Sequence, residues 1–162
     1  MGELAEQPKF RVFVSGFSST IEDWRRAMNA PSSELPELNA EQKEIVRKFG
    51  ITEEDYQRGH LSGLYGQERL RSRGIELGRS VEEILRVLGP EYQLNAVTEE
   101  LTVRDRWVVR IWTPQKIVNV AVDRALADAL IDSNTVQDQE RLRILLLTSL
   151  ERAEFIVDRG QR

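Results

Sequence analysis

The chain has 162 residues, 40% of them hydrophobic and 31% charged, with 23 basic and 27 acidic side chains, one histidine and no cysteine. That length suits a single hydrophobic core, and the missing thiols exclude disulfide scaffolds, thiolate-bound metals and cysteine nucleophiles. A net charge of −4 with no strongly one-signed block argues against a nucleic-acid or membrane binder driven by electrostatics.

Residues 1–8 read as a flexible tail, and 9–160 as one α+β domain. The tail lacks a basic start followed by an apolar stretch, so a cytoplasmic protein without a secretory signal is expected. From Lys9 to Ser15 the pattern alternates, with Phe10, Val12 and Val14 opposite Arg11, Phe13 and Ser15, which predicts a first strand. Ser19 followed by Glu22 has capping-box spacing for a helix to about Asn29. Pro31 to Leu38 is a connector. Asn39 then caps a helix from Ala40 to about Lys48, which Gly50 ends in a left-handed conformation.

Thr52 with Asp55 opens a helical pattern that lasts to Leu88, where Gly89-Pro90 stops it. Its apolar positions follow a heptad seam that is strong after Leu70, through Leu77, Val81, Ile84 and Leu88. Gly59, Gly63 and Gly66 each cost about 1 kcal/mol relative to alanine, so a kink or break is expected between Ser62 and Gly66. The period changes to two from Tyr92 to Val122, giving strands over about Leu101–Trp112 and Lys116–Val122, or a separate strand turning at Arg104-Asp105. A two-residue Thr113-Pro114 loop would demand a positive φ of proline. A four-residue Trp112–Gln115 loop is therefore expected, pairing Ile111 with Lys116 and Trp107 with Val120. Either way Trp107, Val109, Val118, Val120 and Val122 share one apolar face, and Arg104, Arg106, Arg110 and Trp112 fall on the other. Asp123 caps a short helix to about Asp132. Thr135 with Asp138 starts the last one, to about Asp158, whose apolar middle Ile144–Leu147 and Leu150 suits a core position. The predicted fold is α+β: a small, mainly antiparallel sheet packed with several helices, including a long glycine-interrupted helical segment and a C-terminal core helix.

Little in this chain specifies a reaction. A lone His60 rules out a paired-histidine metal site, and beside Tyr56 in a glycine-rich segment it reads as an ordinary partly buried or surface side chain. The stretch Gly59–Gly66 lacks the Lys-Ser/Thr and the preceding strand of a phosphate loop, and follows the acidic Glu53–Asp55. Those acids complement a helix start without a catalytic purpose. No cofactor or metal motif is present. Residues 41–58, a short helix, a Phe49-Gly50-Ile51 turn and a second helix, resemble the helix-turn-helix of DNA-binding proteins. The second helix opens on Thr52-Glu53-Glu54-Asp55, however, which would face phosphates, so an ordinary helical corner is the better reading.

The expected function is a non-enzymatic protein-interaction or assembly module. Partner binding or self-association would use the seam of Leu70, Leu77, Val81, Ile84 and Leu88, or the face carrying Arg106, Arg110 and Trp112, because arginine and tryptophan dominate binding hot spots. The alternatives are a DNA-binding regulator using 41–58, with Arg58 as its phosphate contact, and an enzyme that holds an anionic small molecule with Arg106 or Arg110 in a concave pocket.

Overall fold

A computed structural model describes residues 8–14, 19–100 and 105–160, the last seven of these by backbone alone. The expected tail up to Gln7, the strand end at Ser15, and Leu101 to Arg104 lie outside the described residues. In chain order the elements are β1 (Arg11–Phe13), α1 (Ile21–Asn29), α2 (Ala40–Phe49), α3 (Glu53–Leu88), β2 (Gln93–Glu100), β3 (Arg106–Trp112), β4 (Ile117–Asp123), α4 (Arg124–Asp132) and α5 (Val136–Gly160), with a 3₁₀ turn at Ser32–Glu34. The sheet order is β1-β2-β3-β4; β1 runs parallel to β2, and the other neighbours are antiparallel. This is an α+β fold with a mainly antiparallel sheet.

Helix starts follow the capping residues closely. Asn39 and Gln42 exchange side-chain and backbone hydrogen bonds at α2, and the hydroxyls of Thr52 and Thr135 accept the N–H groups of Asp55 and Asp138. At α1 the capping box is Thr20 with Asp23, one residue later than the Ser19–Glu22 spacing predicts. The shift puts Asp23 and Ala27 on the buried side of the helix, where the Asp23 carboxylate also meets Arg69 at 3.3 Å. Gly50 ends α2 at φ 67°, as expected.

Contacts gather the described residues into two compact units, those of Ser15–Leu70 and those of Met1–Val14 with Arg71–Arg162. In the first, Ala27, Ala30, Leu61 and Tyr65 form a small core, with Leu35 packed against it. Arg58 donates from Nη1 to the carbonyls of Ala27, Met28 and Ala30 at 2.9–3.0 Å, satisfying the C-terminal end of α1. Arg69 holds the other end through Asp23, so α1 runs antiparallel to the start of α3, clamped by an arginine at each end. Arg26 lies over the Tyr65 ring, 3.7 Å from its centre.

The expected break in α3 does not occur: the helix is continuous from Glu53 to Leu88. Leu61, Ser62, Tyr65 and Gly66 are buried, and tertiary packing of this kind outweighs the intrinsic cost of glycine.

In the second unit α3 lies close to the inner face of the sheet. A Cβ on Gly74 would stand 2.5 Å from Val12 Cγ1 and 3.1 Å from the Trp107 ring, and one on Gly78 would collide with the Phe10 ring. Trp107, Val109, Ile111, Val118, Val120 and Val122 line that inner face, all buried. Leu142, Leu146 and Leu150 of α5 are buried as well, and α5 packs chiefly against β4 and α4. Arg73 joins α3 to α4 through Asp128 at 2.6 Å.

The hairpin register differs from the expected one by two residues. Val118, Val120 and Val122 face Ile111, Val109 and Trp107, and the turn closes on Thr113 and Lys116. Proline here takes the first central position of the turn, where φ near −65° is favoured, and Gln115 needs no positive φ. The Thr113 hydroxyl both accepts the Lys116 N–H and donates to its carbonyl. A shift of two keeps every side chain on its predicted face.

Gly78→Val should lower stability by about 1–3 kcal/mol, the cost of overpacking. Gly59→Ala, with nothing near its added methyl group, should raise it by about 0.4–1 kcal/mol in urea unfolding. Burial pushes the Asp23 pKa up, but hydrogen bonds from Thr20 and the Arg69 charge outweigh it and lower the value overall. The stability Asp23 contributes is therefore complete above the ordinary carboxylate pKa of about 3.9. It is lost as pH falls through the lowered value. Asp23→Asn should melt below the parent at neutral pH and converge with it in acid.

Candidate interaction surface

The pleat sends Arg11 and Phe13 of β1, Ala96 and Thr98 of β2, Arg106, Val108, Arg110 and Trp112 of β3, and Ile117, Asn119 and Ala121 of β4 to the outer face of the sheet. The register arranges these in rows. Arg11, Ala96, Arg110 and Asn119 form one, and Phe13, Thr98, Val108 and Ala121 the next. Ala96 is buried between two exposed arginines. Phe13, Trp112 and Ile117 are 50%, 48% and 42% exposed. Arg110 Nε donates to Asn119 Oδ1 at 3.3 Å, and among the described residues no carboxylate pairs with Arg11 or Arg110. Arg106 is different: its Nε donates to Glu100 at 2.6 Å, so its charge is already engaged.

The structure thus brings Arg110 and Trp112 together on an exposed face and adds Arg11, Phe13 and Ile117 to it. The alternation in Lys9–Ser15 sets Arg11 and Phe13 on one side, but which strand β1 joins is a long-range choice that sequence pattern does not reveal. β2 lies between β1 and β3 and is absent from the two predicted late strands; its bulge between Leu94 and Ala96 interrupts the alternation. Arg104 lies outside the described residues.

The seam has a different fate. Leu70, Leu77 and Val81 are buried and serve the chain's own packing, while Ile84 and Leu88 are partly buried. Among these positions only Ile84 and Leu88 retain surface for a partner. In the 41–58 segment, the Arg58 side chain is bound to the carbonyls of α1 and to Glu54, so it is unavailable to a phosphate. His60 is exposed.

A groove of about 750 Å³ lies beside the second half of α3, lined by Lys9, Arg79, Glu82, Glu83, Arg86 and Tyr92 among others. Neither Arg106 nor Arg110 lines it. Among the described residues no three acidic or histidine side chains converge as a metal site would require, and no helix is long and apolar enough to cross a membrane.

One charged group escapes the sequence reading. Glu99 points to the inner face opposite Trp107, its side chain wholly buried. Arg124 Nη2 donates to Glu99 Oε1 at 2.7 Å, and its Nε lies 2.8 Å from Asp105. Asp123 takes the cap position of α4 without the capping bond predicted for it; the Arg124 N–H donates instead to the Asp105 carbonyl. Arg124→Met should therefore cost about 3–5 kcal/mol by stranding a buried carboxylate. Adding Glu99→Leu to it should recover most of that loss, as read by denaturant midpoints.

Comparison with known proteins returned no matching family model, no matching curated protein and no matching solved structure.

Proposed function

We propose that this protein is a non-enzymatic interaction module that binds a partner protein across the outer face of its sheet. The observation that carries this reading is the set Phe13, Trp112 and Ile117, about half exposed on one face, beside Arg11 and Arg110, whose charges meet no carboxylate among the described residues. Water-exposed aromatic surface is costly to maintain. Combined with arginine it matches the composition of interface hot spots. The complementary partner is a protein segment that lays apolar side chains over Trp112 and Phe13 and offers carboxylates to Arg11 and Arg110. A cytoplasmic partner belongs to the same proposal. Aromatic and arginine side chains on a sheet also suit stacked single-stranded nucleic acid, but Glu100 and Asp123 at one end of the face, and the net negative charge, favour protein.

The test is capture by the purified full chain, compared with an Arg110→Glu/Trp112→Ala double variant and quantified by mass spectrometry. Specific proteins should be lost at least tenfold with the variant. A purified captured protein should bind the parent about 30-fold more tightly, the effect of one hot spot of about 2 kcal/mol. Thermal stability should change little, since both side chains are exposed. Equal capture by the two forms, or retention mainly of single-stranded nucleic acid, overturns the proposal.

A further inference from the structure

We infer that two copies of this chain pair through the free edge of β4, joining their sheets antiparallel about a two-fold axis at Val120. Thr113 N donates to the Lys116 carbonyl at 2.9 Å, which makes Thr113–Lys116 a hydrogen-bonded pair. Alternation then makes Ile111–Val118, Val109–Val120 and Trp107–Val122 the hydrogen-bonded pairs further along. The three valines thus spend their backbone groups on β3, and the N–H and C=O groups of Ile117, Asn119, Ala121 and Asp123 point away from it. β4 is the outermost strand of the sheet, so these groups face no neighbouring strand.

An edge of this kind is a template for another strand, and proteins that stay monomeric blunt it with proline, lysine, a bulge or shortness. β4 has none of these: it spans seven residues in unbroken register, and its one charge, Asp123, stands at its end. The opposite edge, β1, is only three residues long.

The occupant is argued from self-complementarity and from α5. Pairing about Val120 sets Val118 against Val122 of the second copy, and Val120 against itself, on the inner face. On the outer face it sets Asn119 against Ala121 and Ile117 against Asp123 of the second copy. No like charges oppose each other between residues 117 and 123. α5 packs against this same outermost strand and buries Leu142, Leu146 and Leu150. Its Ile144 nevertheless stays 52% exposed, with Leu145 and Leu147 half-buried. An edge-to-edge dimer brings α5 of one copy beside α5 of the other and gives this apolar surface a cover.

The test is molar mass by light scattering across concentration, with variants. The parent should approach twice the 18.7 kDa chain mass. Ala121→Pro removes an outward N–H and leaves the β3 ladder intact, so it should give the single-chain mass with circular dichroism unchanged. Should that variant misfold, Asn119→Lys/Ala121→Lys, at two exposed positions, sets lysines opposite each other and should also give monomer. Val120→Cys, in a chain without cysteine, should oxidise to a linked dimer, because non-hydrogen-bonded antiparallel partners lie about 4.5 Å apart at Cα. A monomer at every concentration overturns the inference, and so does a dimer that survives these edge variants without cross-linking at residue 120. The outer-face variant Arg110→Glu/Trp112→Ala should leave the mass unchanged, which separates this inference from the proposed partner site.

Discussion

The inner layer of the sheet-bearing unit depends on one steric constraint, the absence of side chains at Gly74 and Gly78. The Phe10 ring, Val12 and the Trp107 ring occupy the volume that two Cβ atoms would claim. This lets α3 approach β1 and β3 closely enough for Trp107 to be completely buried. A parallel three-residue strand has few hydrogen bonds of its own, so β1 is held as much by the seating of Phe10 and Val12 against the helix as by its pairing with β2. Glycine weakens a helix in isolation. Here the loss is offset by dispersion contacts with two aromatic rings, and its effect is to place Arg11 and Phe13 on the outer face.

Arginine dominates the basic side chains, and five of its nineteen copies hold parts of the fold together. Arg58 caps the carbonyls of α1, Arg69 meets Asp23, Arg73 bridges to α4, Arg106 pairs with Glu100, and Arg124 neutralises the buried Glu99. The planar, five-donor guanidinium suits these tasks, since one side chain can satisfy several oxygens at once. Against that background, Arg11 and Arg110 stand out. They flank an alanine on an exposed face, next to half-exposed aromatic rings, and without a carboxylate among the described residues.

Two surfaces of the sheet are therefore open in different ways. The outer face offers side chains, aromatic and cationic, whose recognition depends on the partner's composition. The edge of β4 offers backbone groups, whose recognition depends on strand geometry and only weakly on side chains. A second copy at the edge would leave the outer face accessible and place two of them on one extended sheet. The two readings are compatible but independent.

Local physics made much of this legible in the linear chain. The caps at Asn39, Thr52 and Thr135, the left-handed Gly50, the stop at Gly89-Pro90 and the inner-face set from Trp107 to Val122 depend on a few neighbouring residues and were all readable. So was the coincidence of Arg110 and Trp112 on one face, because side-chain parity survives a register shift of two. Long-range pairing settled the rest. Whether the seam from Leu70 onward met a partner or the chain itself, whether Gly63 and Gly66 broke α3, and whether Arg58 faced solvent or the end of α1 each turned on which distant segment lay alongside. The same holds for Glu99, an unremarkable acid in the sequence that becomes a buried one once β2 is placed between β1 and β3. Periodicity reports which side chains share a face, whereas burial and ion pairing depend on what the folded chain puts over that face.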